Sequence, residues 1–192
     1  QPRSPVPQAE LKERLLRAYF VDGLDVGDPD TLAACTAEVG FDRDEMSLSP
    51  ITYDEMRDGC YDPKARLGDM DINWVEASLS FPTFPRFCGQ TFLEAKDREL
   101  AMACVLAYND WMVEEWCEPS RGYNIPLCIM PLWDAALAAA EVERMAAKGV
   151  HAFCFSELPT RLKLPSIHSG EWDPMIAACN DHHVTLCMHV GS

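Results

Sequence analysis

The stretch Val184-Thr-Leu-Cys-Met-His189-Val-Gly-Ser192 indicates the fold class more directly than any other part of the chain. Mostly apolar residues lead into His189 and then into Gly-Ser, a pattern typical of a buried parallel strand that presents a polar side chain at its carboxyl end. In α/β proteins, binding and catalytic residues gather at this end of the strands. The stretch therefore predicts an α/β fold with His189 at the edge where a site would form.

Other apolar segments alternate with predicted helices. The predicted strands cover residues 75–81, 125–130, 150–155 and 184–189, and the predicted helices between them cover residues 92–116, 134–148 and 173–181. Strands that alternate with helices in this way form a parallel sheet covered by helices. No G-x-G-x-x-G motif follows a strand, which disfavours a dinucleotide-binding fold. We therefore predict a partial (β/α)8 TIM barrel with about four parallel strands.

A helical hairpin is predicted ahead of the barrel. Residues 9–20 carry apolar side chains at helical spacing. Asp28 and Pro29 provide an N-cap followed by proline for a second helix over residues 31–39, which Gly40 closes. Two helices joined by a short connection indicate an αα-hairpin.

The amino-acid composition changes after the predicted hairpin. Residues 40–61 are rich in Asp, Ser, Pro and Met without a clear period, so we expect a long loop or lid there. A short helix capped by Asp62 is predicted next. We predict two domains: a hairpin segment over residues 1–39 and an incomplete barrel over residues 40–192.

Charge and composition exclude several classes of protein. Sixteen Lys and Arg against 31 Asp and Glu give a formal charge of −15, which repels nucleic acid and anionic membrane surfaces. No apolar run is long enough to span a membrane. The nine cysteines form no C-x-x-C pair, and reduced thiols are typical of the cytoplasm. We expect a cytoplasmic protein with a small-molecule substrate and neither nucleic acid nor membrane as partner.

Side chains at the carboxyl ends of the predicted strands are the candidate site residues, because these ends converge on one rim of a barrel. Trp172 has a structural alternative, an anchor at the edge of the core beside Asp173 as a helix N-cap. Glu157 is suited to acid–base work. The candidate substrate contacts, including two from the loop after the third strand, are Phe81, Thr83, Trp133, Glu157, His168 and Trp172.

His189 is the candidate metal ligand. A neutral imidazole at a strand end is a common ligand for zinc or manganese, and such a metal lowers the pKa of bound water toward ~7. The alternative is a histidine satisfied by a backbone carbonyl. The residues alone leave both interpretations open.

A first family resemblance lies in the predicted hairpin. Residues 10–20 (ELKERLLRAYF), 25–29 (DVGDP) and 32–40 (LAACTAEVG) resemble part of the helical insertion of DsbA-like thiol oxidoreductases. The C-x-x-C pair and cis-proline loop of that family have no counterpart in this sequence. Thiol–disulfide oxidoreductase activity is therefore the weakest of the functional alternatives.

A second resemblance covers residues 40–192 and rests on several motifs in the right order. The sequence resembles the middle of an amidohydrolase-2 family protein at YDEMRDGCYD (53–62), RLGDMD (66–71), FPTFPRFCGQ (81–90), AYNDW (107–111), PLWD (131–134), PSIHSG (165–170) and CMHVGS (187–192). That family contains TIM-barrel metal-dependent hydrolases and non-oxidative decarboxylases. The resemblance implies a small carboxylate or aromatic substrate.

The resemblance also implies a divalent metal, zinc first and manganese second, with His189 as one ligand. The His-x-His pair of the family has no counterpart before Gly40, and its late aspartate and histidine would follow Ser192. We therefore expect a fragment or a chimera joined near Gly40, inactive as it stands. The competing interpretation is a non-catalytic remnant, or a protein that forms homo-oligomers through exposed strand edges.

Overall fold

A computed structural model of the chain describes residues 6–41 and 52–189. The chain divides into two compact units, Gln1–Met56 and Arg57–Ser192. Part of the predicted loop or lid, residues 42–51, lies outside the described residues. The predicted domain boundary after residue 39 stays a prediction.

The first unit contains the predicted helical hairpin. Helix α1 spans Val6–Phe20 and helix α2 spans Pro29–Glu38. The Asp28 carboxylate caps α2 by accepting the Thr31 N–H at 2.9 Å, and proline follows it as predicted. Arg14 on α1 forms an ion pair with Glu38 on α2 at 2.5 Å, and this hydrogen bond lowers the pKa of Glu38.

The second unit alternates strands and helices in the predicted order. Each strand of the unit is followed by a helix before the next strand begins. The elements are α3 (Pro63–Ile72), β1 (Ser78–Ser80), α4 (Gln90–Leu93), α5 (Arg98–Trp111), a π-helix (Met112–Cys117), β2 (Asn124–Pro126), α6 (Ala135–Ala146), β3 (Ala152–Ser156), α7 (Asp173–Asp181) and β4 (Thr185–His189), with short 3-10 turns at Asp58–Cys60, Glu118–Ser120 and Pro159–Leu162.

The strands are parallel and follow one another in space as they do in the chain. Strand β1 pairs with β2, and β3 pairs with β4. Cys128, just after β2, joins the two pairs: its N–H donates to Ala152 O at 3.1 Å, and its carbonyl accepts the Cys154 N–H at 2.7 Å. This gives the order β1-β2-β3-β4, which is the order of consecutive strands in a (β/α)8 barrel.

The first two predicted strands are too long. Strand β1 covers only Ser78–Ser80 of residues 75–81, and the ladder of β2 stops at Pro126. Beyond Pro126, the Asn109 side chain takes the place of a neighbouring strand, because it accepts the Ile129 N–H at 2.9 Å and donates to Ile129 O at 2.8 Å. A side-chain amide satisfies the same backbone groups as a ladder but extends no sheet.

The predicted helix over residues 92–116 is three pieces. Helix α4 ends at Leu93, and the Asp97 carboxylate starts α5 by accepting the Leu100 N–H at 3.0 Å. The π-helix follows Trp111. The prediction of Asp173 as an N-cap is also wrong: Trp172 holds the N-cap position, and Asp173 is the first residue of α7.

Helices α5 and α6 are joined by an ion pair whose carboxylate is buried. Glu141 on α6 is 1% exposed, and its two carboxylate oxygens accept hydrogen bonds from Arg144 at 2.7 and 2.8 Å. Asn109 on α5 donates to the same carboxylate at 2.6 Å. Asp110 accepts from Arg144 at 2.7 Å and from Lys148 at 2.6 Å. The cluster joins α5, α6 and the segment after β2.

Replacing Arg144 by leucine should destabilise the protein by about 3 kcal/mol, because it leaves the buried Glu141 carboxylate without its cation. Urea unfolding followed by circular dichroism measures the change. The control is Arg161→Leu, an exposed arginine in a 3-10 turn, for which we expect a change within about 0.5 kcal/mol. Equal effects of the two substitutions would contradict the stated role of Arg144.

Among the described helices, none has the length and apolar character that crossing a membrane requires.

Candidate functional site

The carboxyl end of β4 places His189 beside the end of β3. The strands are in register so that Cys187 pairs with Cys154 and His189 pairs with Ser156. Because side chains alternate along a strand, these four residues lie on one face of the sheet. Ser156 is fully buried, whereas His189 is partly exposed. The His189 imidazole thus lies at the carboxyl edge of this face and is partly exposed.

Two phenylalanines from the segment after β1 enclose the His189 ring. Phe87 stacks on the imidazole with ring centroids 4.0 Å apart and 14° between the planes. Phe81 meets it edge-on at 5.3 Å and 67°. Strands β1 and β4 are not neighbours in the sheet, so the segment after β1 reaches His189 across the carboxyl ends of the strands between them.

The segment that carries Phe87 is held in place at several points. Gly89 has φ +87°, and a Cβ there would contact Ile129 at 3.6 Å, so the segment lies close against the residues after β2. The Cys88 N–H donates to the buried Gln90 side chain at 3.1 Å. Arg86 forms an ion pair with Glu94 at 2.8 Å. Phe87 therefore sits on a well-supported turn.

The π-helix supports the start of the same segment. Trp116 lies in its last turn, and its indole N–H donates to Ser80 Oγ at 3.0 Å. Ser80 is the final residue of β1 and immediately precedes Phe81. π-Helical turns are frequent at functional sites because they re-aim side chains. Here the turn fixes the end of the strand that leads into the aromatic enclosure.

The structure brings some of the predicted site residues together. Phe81 contacts His189, as described above. Glu157 is half-buried directly after β3, and its charge acts on the Cys88 thiol next to Phe87. Phe81, Glu157 and His189 thus all lie at the carboxyl ends of their strands.

Other predicted site residues have different surroundings. Thr83 and His168 are exposed on loops, and the His168 N–H donates to Ser166 Oγ at 3.3 Å. Trp133 lies beneath the Arg98 guanidinium, 5.0 Å from the ring centroid. Trp172 is 2% exposed, and its indole N–H donates to Pro165 O at 3.0 Å. Trp172 therefore has the structural role that was its alternative.

Phe87 is the site residue that sequence reasoning missed. It follows no predicted strand directly, and its ring reaches His189 only through the turn at Arg86 and Gly89, both with positive φ. The one available signal was Gly89 within the motif FPTFPRFCGQ. A glycine in such a motif indicates close backbone approach but not which neighbouring side chain it orients.

The thiols near this edge are poor nucleophiles. Burial, helped by the negative charge of Glu157, raises the pKa of Cys88 to about 12, while Arg86 acts in the opposite direction. Burial also raises the pKa of Cys154 and of Cys128. Only a thiolate attacks efficiently, so these groups serve as apolar packing. All nine cysteines are free thiols.

Alkylation should separate the exposed thiol from the buried ones. In native protein at pH 8, iodoacetamide should modify the exposed Cys60 first, while Cys88 should react only after unfolding because it is buried and protonated. Peptide mass mapping over time measures both rates. Modification of Cys88 as fast as Cys60 in native protein would contradict this assignment.

The chemistry of the donor groups fits one metal ligand and not a complete site. Over residues 6–41 and 52–189, no group of three or more His, Cys, Asp or Glu side chains is arranged to hold a metal ion. His189 can offer one imidazole nitrogen at the rim. A complete site would need ligands from outside these residues.

Comparison with solved structures identifies the fold. The chain is similar to 5-carboxyvanillate decarboxylase from Novosphingobium aromaticivorans, an Asp-to-Asn variant with bound manganese and 3-methoxy-4-hydroxy-5-nitrobenzoic acid, with a TM-score of 0.56 and 16% identity. The similarity covers 93% of this chain and 46% of that chain, so this chain spans less than half the length of that enzyme. The fold is a partial TIM barrel of the amidohydrolase type.

The sequence defines the family more closely than the fold does. Residues 15–192 match the amidohydrolase-2 family, described as amidohydrolase. The chain therefore belongs to this family, as the motifs predicted. The match includes most of the hairpin that resembles DsbA-like proteins. No curated protein matches the chain.

Proposed function

We propose that this chain forms part of the site of a metal-dependent hydrolase or non-oxidative decarboxylase. The observation that carries the proposal is the position of His189, at the carboxyl edge of a barrel sheet in a chain of the amidohydrolase-2 family. Metal ligands in TIM barrels project from this edge. His189 is the ligand that these residues would provide.

The surroundings of His189 support a small aromatic or carboxylate substrate. Phe81 and Phe87 are 38% and 37% exposed and offer flat apolar surface beside the imidazole. Glu157, at the end of β3, can hold or transfer a proton. The decarboxylase that shares the fold was solved with a substituted benzoic acid, which supports an aromatic acid as substrate.

Zinc is the metal that we propose first, and manganese is the second. Imidazole is a good ligand for zinc, whereas the decarboxylase of similar fold holds manganese. A bound divalent metal would polarise a carboxylate or lower the pKa of water. Because one ligand does not make a complete site, we propose that this polypeptide is inactive by itself. The cytoplasmic location remains a prediction.

Zinc binding to the full chain of 192 residues tests the role of His189. We expect His189→Gln to weaken zinc binding at least tenfold in calorimetric titration, because it removes an imidazole ligand. The control His151→Gln removes an exposed imidazole before β3 and should leave binding unchanged. Identical titrations for the two variants, or no zinc binding at all, would refute the metal role. Release of CO2 from hydroxybenzoates by the chain alone would refute its inactivity.

A second candidate function is non-catalytic assembly through a sheet edge. Among the described strands, β4 pairs only with β3. Thr185 N–H donates toward β3, to His151 O at 2.8 Å. Because the N–H and C=O groups of successive residues point to opposite sides of a strand, the backbone groups of Leu186 and Met188 point away from β3. This open edge supports homo-oligomer formation by strand pairing.

Proline at position 188 should block such pairing without harming the β3 ladder, because the Met188 N–H points away from β3. If copies pair through β4, Met188→Pro should shift the protein to monomer in size-exclusion chromatography with light scattering. Met188→Ala, which keeps the N–H, is the matched control and should stay oligomeric. A monomeric wild-type protein would rule out edge assembly.

A further inference from the structure

Phe87 stacks on a face of the His189 imidazole and not on its edge. The ring planes are 14° from parallel at 4.0 Å between centroids, so Phe87 covers a face of the imidazole. The lone pair of a histidine nitrogen points outward in the ring plane. A metal therefore approaches the edge, and the stack does not compete with it.

A histidine ring needs such support to hold one orientation. The χ2 torsion joins an sp³ carbon to an sp² ring and has a broad energy profile, so packing must select its value. Phe87 restricts rotation from one face, and Phe81, at 67° and 5.3 Å, restricts it from another direction. Two aromatic neighbours at different angles define the plane of the imidazole.

The Phe87 side chain is not part of the buried hydrophobic core. It is 37% exposed, whereas its neighbour Cys88 is 1% exposed and belongs to the core cluster. The turn around it is nevertheless anchored by Gly89 against Ile129 and by the Gln90 side chain. A partly exposed ring on an anchored turn indicates a role in orientation.

We propose that Phe87 is a positioning residue that fixes the imidazole plane of His189 so that a ring nitrogen is presented at the rim. The metal part of this role rests on the proposed function of His189 as a ligand. Groups that orient a metal ligand typically change metal affinity 10- to 100-fold when removed. The orientation itself exists without metal and can be observed separately.

Ring-current shifts in the metal-free chain test the orientation. An aromatic ring stacked on an imidazole moves the imidazole proton signals upfield. The His189 signals are assigned by their loss in His189→Gln. We expect Phe87→Leu to remove the upfield shift and Phe87→Tyr to keep it, because tyrosine retains the ring. The control Phe84→Leu changes an 81% exposed phenylalanine of the same segment and should have no effect.

Zinc titration of the same variants tests the consequence for binding. We expect Phe87→Leu to weaken zinc about tenfold, with wild-type affinity in Phe87→Tyr and Phe84→Leu. Zinc binding that depends on His189 but is unchanged in Phe87→Leu would overturn the positioning role. If no variant binds zinc, the proposed function fails, and only the ring-current shift then tests the positioning role of Phe87. Loss of the upfield shift in Phe87→Leu would support that role, and retention of the shift would overturn it.

Discussion

The buried Glu141 carboxylate is the constraint on which this sheet depends. A charge with 1% exposure is tolerated because Arg144 and Asn109 satisfy it. Asn109 uses the rest of its amide to hold Ile129, which fixes the residues after β2 between β3 and the helices. Gly89 packs against Ile129. The turn that reaches the carboxyl edge thus lies next to a segment that the Glu141 cluster holds in place.

The fold was largely predictable because its signals are local. Apolar runs separated by helical patterns predict strand order, and Asp28, Asp62 and Asp134 are recognisable caps since each directly precedes a helix and accepts its first N–H groups. The errors arise where a side chain replaces a backbone partner. The Asn109 side chain takes the place of a strand beside Ile129, and Asp97 starts a new helix inside the segment that was predicted as one helix over residues 92–116.

The candidate site was predictable only in part. Strand ends predict that Phe81, Glu157 and His189 share an edge, because register in a parallel sheet follows from the strands themselves. The stack of Phe87 on His189 depends on the path of the segment after β1 and on positive φ angles at Arg86 and Gly89. Neither the path of this segment nor its backbone angles can be read from a pattern of apolar and polar residues. The same holds for the π-helical turn that aims Trp116 at Ser80.

The spatial order of the strands has a consequence for how the sheet assembles. Each of β2, β3 and β4 lies next to the strand made just before it, so every pairing joins segments that leave the ribosome in succession. The paired residues are still far apart in the sequence, as Ser78 with Asn124 and Cys154 with Cys187 illustrate, so pairing is slower than the closing of a local turn. The partner of each new strand has nevertheless already been made when that strand emerges. The sheet can therefore grow by accretion during synthesis, with each new strand serving as the template for the next.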